Sequence, residues 1–348
     1  MDEELNAPGK QVLSGLLPDE LAACLSPLPR FRSRQIFKWL SEGAPDFDGM
    51  SDLPLALRKE LGERFVTRSS KINSRLDDSD GTVKLGITLE DGAQIEAVLL
   101  ADGKLRHTAC ISTQAGCQAG CVFCKTGALG FRRNLTRHEI VEQFLFLREI
   151  SGHISNIVVM GMGEPLLNLD ELRAAINVIS CKDGLNFSKR RITVSTCGII
   201  KGIIDIADNG PAVRLALSLT TADEELRRTL MPISASQPLE KIKNALLYFQ
   251  NAGGGRVTLE AVLLGGINTR ERDAQALAEF ARGLDAVINL IPWNPVETGR
   301  ENSVTLREPS RAEVENFTRR ARALGLNVTC RYRKGRSVSG ACGQLGCV

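Results

Sequence analysis

Two hydrophobic spacings alternate along most of this chain. Runs of about four to eight mainly apolar residues are typical of buried strands, and they alternate with longer segments that show the spacing of an amphipathic helix. The apolar runs predict strands over Thr108–Thr113, Asn156–Met160, Arg191–Ser195, Arg214–Leu219, Arg256–Leu263, Ala286–Ile291 and Asn327–Arg331. The segments between them predict helices over Arg137–Glu149, Leu169–Ile179, Asp223–Leu230, Leu239–Asn251, Arg270–Leu284 and Arg311–Leu324. This alternation predicts an α/β protein whose parallel sheet is curved or closed as in a (β/α) barrel.

The chain before residue 106 has a different pattern. Helical spacing predicts helices over Leu16–Leu25, Ser33–Ser41 and Leu53–Phe65. Thr82–Leu100 alternates apolar and polar residues around Glu90–Gly92, which predicts a β-hairpin. The predicted domains are therefore a helical accessory domain (1–70), a β-hairpin linker (71–105) and an α/β core with a cysteine-bearing tail (106–348).

Composition and charge exclude some classes of protein. The 348 residues carry a net charge of only +3, so any nucleic-acid surface has to be local. No run approaches the roughly 18 apolar residues of a membrane helix, and the acidic start is unlike a signal peptide, so we expect a soluble, cytoplasmic protein. The basic cluster Arg30, Arg32, Arg34 and Lys38 is either a solvated helix face or a phosphate-contacting surface.

Three cysteines carry the strongest chemical signal. Cys117, Cys121 and Cys124 form a C-x3-C-x2-C motif just after the first core strand. Structural zinc and ordinary iron–sulfur clusters take four protein ligands. A triplet without a nearby fourth ligand leaves one iron of a four-iron cluster open to a substrate or cofactor. The alternative is a zinc or iron–sulfur module with a purely structural role. Zinc would need a fourth ligand, and none of His107, His138 and His153 is suitably spaced to supply it.

The other cysteines have weaker signals. Cys24, Cys181 and Cys197 are interpreted as small buried hydrophobic residues. Cys330, Cys342 and Cys347 lack the C-x2-C pair expected of an auxiliary cluster, and Cys347 is interpreted as a spare thiol near the C-terminus. Small neighbours around Cys342 favour a mobile loop with a function.

Polar residues follow several predicted strands. Glu164 lies in the turn Gly161–Asn168, and Ser195, Ser218 and Asn294 lie at the ends of later strands. The carboxyl ends of parallel strands meet at one mouth of a (β/α) barrel, where ligands bind. These side chains therefore predict a polar-ligand site beside the cysteine triplet.

Together these features resemble a radical S-adenosylmethionine (SAM) enzyme, and specifically the RlmN type of adenine-C2 RNA methyltransferase. The matching segments are Cys110–Cys117 with the triplet, Thr126–Thr136, Gly161–Asn168, Asn289–Pro295, Ala341–Leu345, Phe31–Trp39 and Asp46–Met50. The resemblance covers nearly the whole chain. It implies a partial (β/α)6-type radical SAM barrel, a small N-terminal accessory domain that contacts RNA, and a C-terminal catalytic loop.

The resemblance also assigns ligands to the cofactors. Cys117, Cys121 and Cys124 would bind three irons of one [4Fe–4S] cluster, and SAM would chelate the fourth iron. The residues that would hold SAM are Gly163, Glu164, Ser195, Ser218, Leu219, Thr220 and Asn294. In the family the substrates are a specific adenosine of 23S rRNA and the tRNA adenosine 3′ to the anticodon. A flavodoxin-type donor would supply electrons to a monomeric enzyme.

Three further residues receive catalytic roles from the resemblance. One SAM would methylate Cys342, and a second SAM would generate a radical that removes a hydrogen atom from this S-methyl group. The carbon radical would add to C2 of adenine, because that carbon is too weakly nucleophilic for polar transfer. Glu96 would accept the proton, and Cys110 would resolve the protein–RNA adduct and end in a transient disulfide with Cys342. The target base must leave its stack to reach the site.

Two segments depart from the family pattern and leave the substrate open. Ser218-Leu-Thr220 stands where relatives have Ser-Leu-His, and Ser337–Cys342 lacks the acidic residues that usually precede the carrier cysteine. The latter segment follows the basic run Arg331–Arg336. The loss of two carboxylates beside phosphate-rich RNA should either increase attraction to the RNA or change how the loop is placed. The alternatives are a C8-adenine rRNA methyltransferase, which shares the cluster and both reactive cysteines, and a radical SAM enzyme that acts on a small molecule or peptide.

Overall fold

The computed structural model describes residues 9–103, 106–297, 304–330, 334–335 and 337–346. The strands are β1 (Gln11–Val12), β2 (Phe65–Val66), β3 (Lys71–Asp77), β4 (Val83–Thr88), β5 (Gln94–Asp102), β6 (Arg106–Cys110), β7 (Gln114–Gly116), β8 (Phe131–Asn134), β9 (Asn156–Val159), β10 (Ile192–Thr196), β11 (Arg214–Ser218), β12 (Val257–Leu263), β13 (Ala286–Pro292) and β14 (Val328–Cys330). The helices are α1 (Pro18–Cys24), α2 (Arg30–Glu42), α3 (Leu55–Arg64), α4 (Lys125–Leu129), α5 (Arg137–Ser151), α6 (Leu169–Ile179), α7 (Ile200–Asn209), α8 (Glu224–Leu230), α9 (Leu239–Asn251), α10 (Glu271–Ala281) and α11 (Arg311–Ala323). Within these ranges, none of the helices has the length and apolar character needed to span a membrane.

A ten-stranded sheet organises the core. Its order is β14-β13-β12-β11-β10-β9-β6-β5-β4-β3, and the pairing is parallel from β14 to β6 and antiparallel from β6 to β3. Six strand–helix units run from β6 to α11, and β14 extends the parallel part. The edge strands β3 and β14 do not pair with each other in the described ranges, so the barrel is partial. The predicted α/β fold with a partial (β/α)6 barrel is confirmed.

The parallel strands are apolar because helices cover them. Strands β12 and β13 pair over their full lengths, from Val257 opposite Ala286 to Leu263 opposite Pro292. Leu259 and Leu263 are completely buried, as is Leu290 on the neighbouring strand. Strands buried on both faces appear in a sequence as nearly continuous apolar runs. This is why the sequence pattern located these strands to within a few residues.

Other elements were not predicted from the pattern. Helix α7 follows β10 and is rich in isoleucine, which is typical of a strand, and it contains Gly202. A Cβ atom on Gly202 would lie 2.6 Å from the Cβ of Leu166, so close packing against the turn after β9 explains this glycine. Strand β3 is exposed along its whole length and has no buried alternation to reveal it. The short β7, β8 and α4 around the cysteine triplet were also missed.

The buried polar segment 112–114 leaves β6 and enters the cysteine loop. The backbone N–H of Ser112 donates to Oε1 of Gln143 on α5 at 2.7 Å, and the Gln143 amide donates back to the Ser112 carbonyl at 3.1 Å. The Thr113 N–H donates to the Met162 carbonyl at 2.8 Å, and the Asn168 amide donates to the Thr113 carbonyl at 2.9 Å. This segment therefore ties the first core strand to α5 and to the loop after β9.

A buried carboxylate fixes the N-terminal unit to the core. Glu142 on α5 is fully buried. Its Oε1 accepts hydrogen bonds from Ser14 Oγ at 2.8 Å and from the Ser69 N–H at 3.0 Å, and its Oε2 accepts from the Ser70 N–H at 2.8 Å. Hydrogen bonds to a charged group contribute about 1.5–3 kcal/mol each. Glu142 thus holds two separate N-terminal segments against one helix.

We expect Glu142→Ala to lower the free energy of unfolding by about 3 kcal/mol, because it leaves buried N–H groups without an acceptor. Chemical denaturation would measure the loss. Glu315→Ala is the matched control, because Glu315 forms an ion pair with Arg311 at 2.7 Å on the surface of α11, and its loss should stay below about 0.5 kcal/mol. Equal losses in the two variants would contradict this role of Glu142.

Candidate active site

The cysteine loop connects β7 to α4 and is held by backbone hydrogen bonds. The Cys117 N–H donates to the Gly130 carbonyl at 2.8 Å, and the Cys124 N–H donates to the Cys121 carbonyl at 3.2 Å. The Val122 N–H donates to the Leu230 carbonyl at the end of α8 at 3.0 Å. The three thiols are therefore presented by a short loop that is fixed at both ends and at its centre.

Burial changes the chemistry of these thiols. It raises the pKa of Cys117 to about 12, and Cys124 and Glu164 nearby add to this rise. Burial also raises the pKa of Cys121 well above its usual range, with further contributions from Cys124 and Cys117. Thiolates at these positions therefore need a compensating positive charge, and a bound metal supplies one.

One cavity, here called the strand-end cavity, lies beside the cysteine loop. It is lined by the ends of β10, β11, β12 and β13 and by the loop after β9. Among the predicted site residues, those lining it are Cys117, Cys121, Cys124, Gly163, Glu164, Ser195, Ser218, Thr220, Asn294 and Cys342. The structure thus brings together residues that lie far apart in the sequence.

Glycine is required in the loop after β9. Gly163 has a φ of +102°, and a Cβ atom there would lie 2.5 Å from the Cβ of Gln114. This close approach aligns the next residue, because the Glu164 N–H donates to Oε1 of Gln114 at 2.9 Å. The sequence therefore brings the loop after β9 into direct contact with the strand that leads to the cysteines.

Glu164 places a buried carboxylate at the strand-end cavity. Its Oε2 accepts from the Cys197 N–H at 2.7 Å, and its Oε1 accepts from the Leu166 N–H at 3.1 Å. Burial raises the pKa of Glu164, and these hydrogen bonds oppose the rise. A carboxylate in this position can receive a cationic amine. Cys197 is buried, as predicted, but it also lines the cavity.

Glu260 is a cavity residue that the sequence interpretation missed. Ser195 Oγ donates to its Oε2 at 3.1 Å and lies 3.0 Å from Ser218 Oγ. The Asn289 amide donates to the other carboxylate oxygen at 3.3 Å. The available signal was one acidic residue inside the otherwise largely apolar strand β12. This group can accept hydrogen bonds from the hydroxyls of a bound ligand.

Thr220 has an unusual backbone conformation beside Glu260. Its φ is +63°, its side chain is buried, and its N–H donates to the Glu260 carbonyl at 3.0 Å. Its Oγ1 has no hydrogen-bond partner among the described residues. A threonine in the left-handed region is strained, and such strain concentrates at functional sites. The hydroxyl is available to a ligand in the cavity.

The C-terminal tail is docked along α4 and places Cys342 at the cavity. The Lys125 N–H donates to the Gly343 carbonyl at 2.8 Å, and the Asn294 amide donates to the Cys342 carbonyl at 3.2 Å. Thr126 Oγ1 donates to the Leu345 carbonyl, and Leu345 itself is buried. Cys342 is exposed in this arrangement. The tail is therefore held by hydrogen bonds at Cys342 and at the residues that follow it.

Three predicted site residues do not line the strand-end cavity. Cys110 is buried at the end of β6, opposite Val98 and Val158 in the sheet register. Leu219 is a buried apolar residue. Glu96 is buried and pairs with Lys84 at 3.0 Å, and its other oxygen accepts from the Gly346 N–H at 2.8 Å. Glu96 thus anchors the end of the tail.

Some residues named in the sequence analysis lie outside the described residues. They are Cys347 and, in the basic segment before Cys342, Arg331, Tyr332, Arg333 and Arg336. Cys24, Cys181 and Cys330 are half-buried and do not line the cavity.

The donor set can be compared with the kinds of metal site considered above. Within the described ranges, no group of three or more His, Cys, Asp or Glu side chains is arranged to hold a single metal ion. The three cysteines instead face one cavity that Glu164, Glu260 and several hydroxyls also line. Three thiol donors beside hydrogen-bonding groups fit a cluster with one open iron and a polar ligand on it.

Two family descriptions match separate parts of the chain. Residues 111–279 match the radical SAM superfamily. Residues 21–67 match the ribosomal RNA large subunit methyltransferase N-terminal domain. The first match includes the cysteine triplet and most of the strand-end cavity, and the second includes α2 and α3.

Curated relatives match along nearly the whole chain. A protein of Treponema denticola, named "Probable dual-specificity RNA methyltransferase RlmN", is 50% identical over 337 residues, which is 97% of this chain and 96% of the relative. Proteins with the same name in Treponema pallidum and Thermus thermophilus are 48% and 42% identical. These matches cover 96% and 95% of this chain and 97% and 91% of those relatives.

A solved structure agrees with the fold. The crystal structure of a radical SAM methyltransferase from Sphaerobacter thermophilus matches with a TM-score of 0.91 and 37% identity, over 96% of this chain and 99% of the other. The family expected from the sequence motifs is confirmed by these relatives. The chain therefore belongs to the RlmN family of radical SAM RNA methyltransferases.

Proposed function

We propose that this protein methylates C2 of a specific adenosine in 23S rRNA and of the adenosine 3′ to the anticodon in tRNA. The observation that carries the proposal is the position of Cys342. Its thiol is exposed on a docked tail and lines the same cavity as Cys117, Cys121 and Cys124. A carrier thiol beside the cluster ligands suits a reaction in which the methyl group is first held on the protein.

The cofactors are a [4Fe–4S] cluster and SAM, as in the radical SAM superfamily. We assign Cys117, Cys121 and Cys124 as the ligands of one cluster. When bound, the cluster supplies the electron that cleaves SAM. Glu164 and the loop at Gly163 would hold the SAM amino group, while Ser195, Ser218 with its neighbours Leu219 and Thr220, and Asn294 would hold its other polar groups. Leu219 belongs to this proposed set through its neighbours Ser218 and Thr220, since it is itself buried and does not line the cavity.

Cys342 and Cys110 have complementary roles in this proposal. Cys342 receives a methyl group from one SAM, and a second SAM supports its transfer to adenine, so each turnover consumes two. Cys110 then resolves the protein–RNA adduct by forming a disulfide with Cys342. Cys110 is buried at a strand end and does not line the cavity. The proposed exchange requires the sulfur atoms of Cys110 and Cys342 to come into contact.

Glu96 is retained as the proposed proton acceptor. Its carboxylate pairs with Lys84 and accepts a hydrogen bond from the Gly346 N–H, so it lies beside the end of the tail. It does not line the strand-end cavity in this arrangement. The proposed role therefore requires a proton to pass from the cavity to this buried carboxylate.

The N-terminal unit, residues 1–70, is the proposed RNA-contacting domain. Arg30, Arg34 and Lys38 are exposed along one side of α2. Phe31 is 56% exposed, and the Arg32 guanidinium lies 4.9 Å from its ring centroid. Exposed aromatic and basic side chains bind single-stranded RNA by stacking and by phosphate contacts. Residues 71–105 would lead from this domain into the catalytic core, residues 106–348, and strands β3, β4 and β5 within them continue the core sheet.

The remaining partners follow from the reaction. A low-potential one-electron donor of the flavodoxin type would reduce the cluster. The protein would act as a monomer in the cytoplasm, where both RNA substrates are found.

Product analysis distinguishes the two positions on adenine. We expect reconstituted enzyme with SAM and a reductant to form 2-methyladenosine in 23S rRNA and in tRNA, as detected by mass spectrometry of digested RNA. Formation of 8-methyladenosine would replace the proposal with the C8 alternative. Failure to modify either RNA, with SAM still cleaved, would favour a substrate other than RNA.

Cys342→Ala should abolish RNA methylation and leave iron and sulfide content unchanged, because Cys342 is not one of the proposed cluster ligands. Methylated adenosine and cluster absorbance are the two measurements. Cys330→Ala is the matched control, because Cys330 is a half-buried thiol on β14 away from the cavity, and it should retain activity. Methylation by the Cys342 variant would exclude a methyl carrier at this position.

Cys110→Ala should accumulate a covalent protein–RNA species, because the adduct would form without the thiol that resolves it. Denaturing gels of a reaction with labelled RNA would reveal it. Cys24→Ala, which removes a half-buried thiol in the N-terminal unit, should give no such species. Multiple turnovers by the Cys110 variant would contradict the assigned role.

A further inference from the structure

Arg227 is the largest fully buried side chain in the described residues. Its Nε donates to the Leu219 carbonyl at 3.2 Å, and one Nη donates to the Cys197 carbonyl at 2.5 Å. The other Nη has no hydrogen-bond partner in the described chain. No carboxylate there lies within ion-pair distance of the guanidinium. Burying a cation without a paired anion is costly, so its position calls for a negative group that only the loaded protein contains.

The helix that carries Arg227 is attached to the cysteine loop. The last residue of α8, Leu230, accepts a hydrogen bond through its carbonyl from the Val122 N–H at 3.0 Å, and Val122 directly follows Cys121. Arg227 lies three residues before Leu230, on the same side of the helix. The Ile233 N–H, just beyond the helix, donates to the Ala119 carbonyl at 3.4 Å. The geometry therefore holds Arg227 immediately behind the loop that presents Cys121.

The electrostatic surroundings of Arg227 agree with its position behind the cysteine loop. Burial lowers the pKa of Arg227, and the thiols of Cys197 and Cys121 oppose that effect more strongly than Glu224 does. An arginine remains protonated in proteins, so it is a permanent positive charge here. Arg227 does not itself line the strand-end cavity, although Cys197 does. It therefore acts on the cavity through its electric field and not by touching a ligand there.

We propose that Arg227 is a positioning residue that supplies the counter-charge for the iron–sulfur cluster and raises its reduction potential. The inference rests on the proposed ligand set that includes Cys121. Three thiolates bring negative charge into a buried site, and reduction adds one more electron from an external one-electron donor. A fixed cation behind the loop stabilises the reduced form more than the oxidised form, because the reduced form carries more negative charge.

The test measures the cluster and not the RNA reaction. Holoprotein with a reconstituted cluster would be titrated with dithionite against mediator dyes, and the reduced cluster followed by electron paramagnetic resonance. Arg227→Met removes the charge while keeping an unbranched chain, whereas Arg227→Lys keeps the charge. Arg228→Gln is the matched control, because Arg228 is the next residue on α8, half exposed, and paired with Glu224 at 3.4 Å.

Arg227→Met should lower the ratio of reduced to oxidised cluster at a fixed potential by about tenfold, equivalent to about 59 mV for one electron. In Arg227→Lys and Arg228→Gln, the ratio of reduced to oxidised cluster at the same potential should stay within about twofold of the wild-type ratio. A wild-type potential in Arg227→Met would overturn the proposal. An equal shift in the Met and Lys variants would also overturn it, since the hydrogen bonds and not the charge would then be responsible.

Failure to load the cluster is also informative. If Arg227→Met binds no iron and Arg227→Lys loads normally at the wild-type potential, the charge is needed even to assemble the site, and the proposal stands. If neither variant loads, the guanidinium hydrogen bonds to Cys197 and Leu219 are the important feature, and the proposal falls. Wild-type protein that binds no iron and sulfide would instead refute the ligand set of Cys117, Cys121 and Cys124.

Discussion

When a buried strand ends, the backbone N–H and C=O groups that follow it still need hydrogen-bond partners. In the segment 112–114, which follows β6, side chains from two other elements supply these partners. Gln143 of α5 pairs with both backbone groups of Ser112, and the Asn168 amide donates to the Thr113 carbonyl. Gln114 in turn accepts from the Glu164 N–H. The segment runs into β7, and the cysteine loop begins where β7 ends. The position of the cysteine loop relative to Glu164 is therefore set by hydrogen bonds between these buried polar groups. Such a network allows few alternative arrangements.

The strand-end cavity concentrates negative or potentially negative groups. Glu164 and Glu260 are both buried at its wall, and three thiols face it from the cysteine loop. Hydrogen bonds from Cys197, Ser195 and neighbouring backbone groups stabilise the carboxylates, but they bring no net charge. Such a site favours ligands that carry positive charge, namely a metal cluster and the sulfonium and ammonium groups of SAM. The electrostatics and the family assignment therefore point to the same occupants.

The sequence allowed prediction of the features that depend on periodicity and spacing. Buried parallel strands have continuous apolar runs, their ends were located, and the polar residues at those ends do converge with the cysteine triplet. The missed features depend on tertiary contacts instead. Helix α7 has an isoleucine-rich sequence typical of a strand, and its Gly202 is explained only by close packing against Leu166. Glu260 and Arg227 are charged residues in buried positions, and a sequence does not show which charged side chains turn inward. The docked tail was likewise unpredictable, because its anchors lie on α4, on β5 and after β13.

Glu96 joins two parts of the molecule through one carboxylate. Lys84 forms an ion pair with one of its oxygens, and the Gly346 N–H, at the end of the tail, donates to the other. Hydrogen bonds to an ionised acceptor are roughly twice as strong as those between neutral groups. One buried side chain therefore ties the paired strands β4 and β5 to the end of the tail. A substitution at Lys84 or Glu96, far from Cys342 in the sequence, would therefore also disturb an anchor of the segment that carries this cysteine.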